Sequence, residues 1–132
     1  FSTLSWAGFL TNWSGPKEHE QPSAYIVIMH DKMVAQNCYC DHGIVAQTIL
    51  LAATNEGFGG CILAAINRPQ LAKMFLIPEH LEILLVLALG KPAETIVTEP
   101  IKDNNYSYYR DSSDIHHVPK RGLTDVVFRP EM

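Results

Sequence analysis

Apolar residues in this chain are spaced regularly up to about residue 92 and irregularly after it. Trp6, Phe9, Leu10 and Trp13 recur at helical spacing, which predicts the end of a helix broken by Ser14-Gly15-Pro16. Residues 23–29 form a continuous, β-branched run, which predicts a strand buried on both faces. Residues 31–40 read as a connector. Asp41 then caps a helix over 42–56, whose apolar positions include Ile44, Val45, Ile49, Leu51, Ala52 and Ala53. Gly57 ends it, because glycine takes positive φ without a Cβ clash. Residues 60–66 read as a short extended segment, and Asn67 as the cap of a second helix over 68–75. After a turn at 77–80, residues 82–90 are the clearest central strand, closed by Lys91-Pro92. Residues 103–114, rich in Tyr, Asn and Ser, predict a loop, and residues 125–128 a last short strand. The order predicts one α+β or α/β layer structure over residues 1–132.

Composition narrows the class. With 132 residues, 47% of them hydrophobic, the chain can bury a core without staples. A formal charge of −4 with 18% charged residues argues against nucleic acid as a partner. No apolar run approaches the roughly 20 residues of a membrane span, and residues 1–10 carry no signal-peptide pattern, so the expected location is cytoplasmic. Cys38, Cys40 and Cys61 are odd in number and unevenly spaced, which favours reduced thiols over a disulfide framework. The chain starts at Phe1 rather than Met and enters an apparent helix at once, so a segment upstream is expected.

Four local patterns invite chemistry, and each has a plainer reading. Gly57-Phe58-Gly59-Gly60 does not meet the dinucleotide fingerprint and follows a helix rather than a strand; by spacing alone it is a helix stop and turn. Cys38-x-Cys40-x-His42 offers soft ligands but lacks zinc spacing and a second cysteine pair, so no metal is expected. Cys61 sits in an apolar run with no base in view, and His116-His117 reads as a loop feature. Lys120-Arg121 alone is a solvated surface pair.

Taken in order, these segments resemble the nitroreductase family. The resemblance rests on Leu51-Ala52-Ala53 followed by Glu56-Gly57-Phe58-Gly59-Gly60-Cys61, on a short helix ending Met74-Phe75-Leu76-Ile77-Pro78, on Gly90-Lys91-Pro92-Ala93-Glu94, and on Val118-Pro119-Lys120-Arg121. It implies an α+β fold, a nitroreductase-like mixed sheet flanked by helices, of which this chain is the C-terminal two-thirds. It also implies a homodimer binding FMN at the subunit interface, and hydride transfer from NAD(P)H through flavin to a small-molecule acceptor, nitroaromatic, quinone or related. By the same resemblance, the backbone of Cys61, Ile62, Leu63, Ala64 and Ala65 lies along one flavin edge, and Lys120 and Arg121 hold the phosphate. Small residues suit a flat ring, and paired cations suit a dianion. The family's N-terminal Arg-rich segment and the loop that follows it have no counterpart here. No side chain is assigned a catalytic proton transfer, and a non-catalytic flavin-binding or dimerisation module is the rival reading.

Overall fold

A computed structural model describes residues 1–128 and Pro130. Its elements run β1 (Ala24–Asp31), α1 (Asp41–Asn55), β2 (Gly59–Leu63), α2 (Arg68–Phe75), β3 (Leu81–Gly90), β4 (Ile96–Pro100), β5 (Tyr109–Arg110), β6 (His116–Lys120) and α3 (Leu123–Val126). The chain divides into two compact units. The first comprises Phe1–Trp6 and Ser14–Pro92, and the second Ala7–Trp13 and the residues from Ala93 onward.

In the first unit β3 lies between β1 and β2, antiparallel to both. Its sequence, apolar at nearly every position, fits a strand covered on both faces. Leu87 meets Ala46 of α1 and Ile28 of β1 on one face, with Ile49 and Leu85 around them. Ile83, Val86 and Ala88 meet Leu63 and Leu71 in a second cluster, flanked by Leu4, Trp6, Val27, Ile66, Ala72 and Ile77. The expectation for the first strand is corrected. Ile28 is buried, but Tyr25, Ile26 and Met29 are exposed, because β1 is an edge strand and bulges between Ile28 and Met29.

Helix ends follow local chemistry. Helix α1 begins one residue earlier than expected: Cys40, not Asp41, is the N-cap, and Asp41 places its charge in the first turn. Gly57 ends it with φ +78°, as its lack of a Cβ allows. Asn67 caps α2 as expected, its side chain accepting the Gln70 N–H at 3.2 Å. The helix expected at Trp6 to Trp13 is absent. Leu10 N–H donates to Ala7 C=O and Trp13 N–H to Leu10 C=O, so the residues form two successive four-residue turns rather than a helix. About two helical turns are too short to offset the nucleation cost of a helix.

The second unit holds a sheet of order β4-β6-β5, with β4 parallel and β5 antiparallel to β6. These strands lie where no periodicity announces them. Among the described residues none in this unit is buried, so no apolar alternation was available to mark them. The strand expected at 125–128 is corrected: Asp125 and Val126 end helix α3, and Val127 and Phe128 follow it outside any strand. There the Asp125 carboxylate accepts the Gly122 N–H at 2.9 Å and Asp125 N–H donates to Gly122 C=O, closing a helical turn.

Candidate functional site

The expected flavin-edge residues follow a crowded turn. A β-carbon at Gly60 would fall 2.8 Å from the Ala88 carbonyl oxygen, and one at Gly59 3.1 Å from Pro92 Cγ. Glycines therefore let β2 lie tight against β3 and α1 before the chain reaches Cys61. As an edge strand, β2 leaves alternate backbone N–H and C=O groups pointing away from β3. Cys61, Ile62, Ala64 and Ala65 are exposed, whereas the Leu63 side chain is buried in the core and has only backbone to offer. The Ala65 carbonyl is already taken by the Ser5 N–H at 3.0 Å.

Cys61 and Tyr25 both register with Ala88, one on each side of β3, and so share a face of the sheet. Burial pushes the Tyr25 hydroxyl above its ordinary range, and the neighbouring Cys61 charge adds to that rise.

Lys120 closes β6 and Arg121 follows it, both exposed. Pairing of β6 with β4 fixes the backbone here, with Ile101 N–H donating to Lys120 C=O at 3.1 Å. Among the described residues neither cationic side chain makes an ion pair or hydrogen bond, so both remain available to an anion. The edge strand belongs to the first unit and the cationic pair to the second.

A polar cluster in the second unit escaped sequence reasoning. Arg110 donates to Glu94 at 2.7 Å and to Asp114 at 2.9 Å, and its guanidinium lies over the Trp13 ring. His116 Nδ1 is 3.2 Å from Glu94, and His117 Nε2 3.3 Å from Asp111. His117 Nδ1 comes within 3.5 Å of Glu99 but without hydrogen-bond geometry, and it remains unpartnered like His116 Nε2. Tyr109 stacks on the His117 ring at 4.8 Å. The two histidines are therefore strand residues held by carboxylates, not the loop feature that adjacency suggested. Only the sheet register brings Glu94, 22 residues away, to His116.

The remaining sulfur ligands divide. Cys38 Sγ and His42 Nδ1 are 3.7 Å apart, while Cys40 is exposed. Among the described residues no group of three or more His, Cys, Asp or Glu side chains is arranged to hold a metal ion. No described helix is long and apolar enough to cross a membrane.

Comparison with known proteins follows the same lines. The family model described as Nitroreductase family matches residues 21–91. The fold is similar to an FMN-dependent nitroreductase from Clostridium difficile, with 20% identity and a TM-score of 0.52, covering 63% of this chain and 52% of that one. It is also similar to nitroreductase A from Vibrio parahaemolyticus, with 23% identity and a TM-score of 0.52, covering 70% and 48%. The chain spans about half the length of each of these structures.

Proposed function

The chain belongs to the nitroreductase family, and from that premise we propose that it forms part of an FMN-dependent oxidoreductase. Its reaction is hydride transfer from NAD(P)H, through flavin, to a nitroaromatic, quinone or related acceptor. The observation that carries this reading is the edge strand β2, entered through Gly59 and Gly60 and lined by small or exposed residues at 61, 62, 64 and 65. The residues fit the cofactor in kind. An edge strand offers backbone donors and acceptors to a planar heterocycle, and the free cations of Lys120 and Arg121 suit a phosphate.

FMN, when bound, supplies the two-electron carrier between nicotinamide and acceptor. The chain's own residues bind and orient. Backbone from Cys61 to Ala65 holds the ring edge, at whose far end the Ala65 C=O also accepts the Ser5 N–H. Lys120 and Arg121 take the phosphate. No side chain need donate a proton, because the acceptor's proton can come from solvent.

Helix α1 supports a homodimer. It is apolar around much of its circumference, yet Ala46 is its one buried residue, while Ile44, Val45 and Leu51 are 60%, 46% and 63% exposed. A helix of this composition calls for cover on its outer side, and a second copy supplies it.

Absorbance tests the flavin reading. The protein mixed with FMN and freed of excess should retain a flavin spectrum that NADPH or NADH bleaches under anaerobic conditions. A colourless protein after FMN addition overturns it, and a yellow protein that neither nucleotide bleaches points to the non-catalytic alternative.

A further inference from the structure

The pairing of Cys38 with His42 lies outside the flavin site. Cys38 is half-buried, and its Sγ lies 3.7 Å from His42 Nδ1, four residues along the chain. In the tautomer protonated on Nε2, Nδ1 accepts the thiol hydrogen. Cys38 opens into a cleft of about 300 Å³, lined also by His30, Lys32, Gln36, Asn37 and Glu82. His30 is held elsewhere: its Nε2 is 2.8 Å from the Ala35 carbonyl and its Nδ1 faces Glu82 at 4.0 Å. His42 is therefore the imidazole that serves the sulfur.

We propose that Cys38 is a thiol–disulfide exchange site, with His42 as its base, for an anionic, peptide-like small disulfide. The chemistry balances without another reagent. His42 takes the Cys38 proton as Sγ attacks one sulfur of the disulfide. A new S–S bond forms, the old one breaks, and the departing thiolate recovers the proton from His42. Cys38 is oxidised into a mixed disulfide with one half of the small disulfide, and the other half is reduced and leaves as a thiol. Acyl transfer is disfavoured, because among the described residues no third group hydrogen-bonds His42 to orient it as such a reaction needs. Disulfide exchange asks only for an activated sulfur and a good leaving group.

The cleft supplies recognition. Lys32 offers a cation to a carboxylate, and the amides of Gln36 and Asn37 match peptide groups. Cys40, two residues on, lines a different groove with Gly43, Ile44, Gln47 and Thr48, none of them charged. Selectivity for Cys38 over the more exposed Cys40 and Cys61 is what the proposal demands, and it does not depend on the flavin reading.

The test treats the fully reduced protein with glutathione disulfide, quenches with acid, and follows each cysteine by peptide mass spectrometry. Cys38 should form its mixed disulfide about tenfold or more faster than Cys40 and Cys61, and His42→Gln should remove most of that advantage. Lys32→Ala should slow Cys38 toward glutathione disulfide but not toward neutral 2-hydroxyethyl disulfide. Equal rates at the three cysteines overturn the proposal, as does an unchanged Cys38 rate in a folded His42→Gln protein. Should that variant not fold, the Lys32 comparison decides, and equal slowing toward both disulfides, or toward neither, counts against the site.

Discussion

A β-carbon on Gly60 would stand 2.7 Å from Leu50 Cδ2, so β2 and α1 meet where no side chain fits. Leucine ends can swing, but the Ala88 carbonyl oxygen, 2.8 Å from the same point, is backbone and cannot. Gly60→Ala is therefore expected to destabilise the protein by about 1–3 kcal/mol. Gly43, inside α1 with open space around it, is the control, and Gly43→Ala should stabilise by about 0.5–1 kcal/mol. Urea denaturation reads both, and equal midpoints for the two variants would refute the crowding argument.

Leu76 caps α2 in the left-handed region at φ 51° and is 86% exposed, so its side chain gains little from packing. The left-handed conformation costs a residue with a Cβ about 1–2 kcal/mol. Glycine removes that cost and gives back part of the gain as unfolded-chain entropy. Leu76→Gly should stabilise by about 0.5–1 kcal/mol, seen as a higher thermal midpoint. A lower midpoint would mean that Leu76 makes contacts the exposed conformation does not show.

Asp111 governs the loop joining β5 to β6. Its carboxyl titrates below the usual range, first because Ile115 N–H donates to it, with burial opposing and with His117 and Ser113 N–H adding to the fall. A carboxyl with a depressed folded-state pKa contributes stability that is fully present above its unfolded value, about pH 4. That contribution is lost as pH falls through the folded value. Amide exchange at Ile115 and Ser113 should therefore show protection that declines on acidification below about pH 4. Asp111→Asn should flatten that decline, and an equally steep one in the variant would assign the acid sensitivity elsewhere.

Lys120 and Arg121 test the phosphate assignment. Each charge-assisted contact is worth about 1.5–3 kcal/mol, so either single alanine variant should weaken FMN binding by about tenfold or more, and the double variant further. Riboflavin, which lacks the phosphate, should bind the wild type and the double variant alike. Loss of riboflavin binding in the double variant would place the pair in support of the fold rather than on the phosphate.

Strong local signals in the sequence proved reliable where one residue type settles the matter. Asn67, Gly57 and the apolar run of β3 specify a cap, a stop and a central strand through contacts within a few residues or through composition alone. The Trp6 to Trp13 spacing failed for the converse reason, since a periodicity of about two turns is weaker than the local turns that replace it. β4, β5 and β6 were illegible because none of their residues is fully buried, and burial is what writes a period into a sequence.

The candidate site divides in the same way. The glycine entry to residues 61–65 and the adjacency of Lys120 and Arg121 can be read from the chain order, because each is contiguous. Only the tertiary structure decided that β2 is an edge strand, that the Leu63 side chain belongs to the core, and that Ala65 C=O is occupied by Ser5. It alone decided that Glu94, Arg110, Asp111 and the two histidines form one polar cluster. The physical reason is common to these cases: strand order and long-range pairing are set by which surfaces meet, and no local spacing encodes the partner.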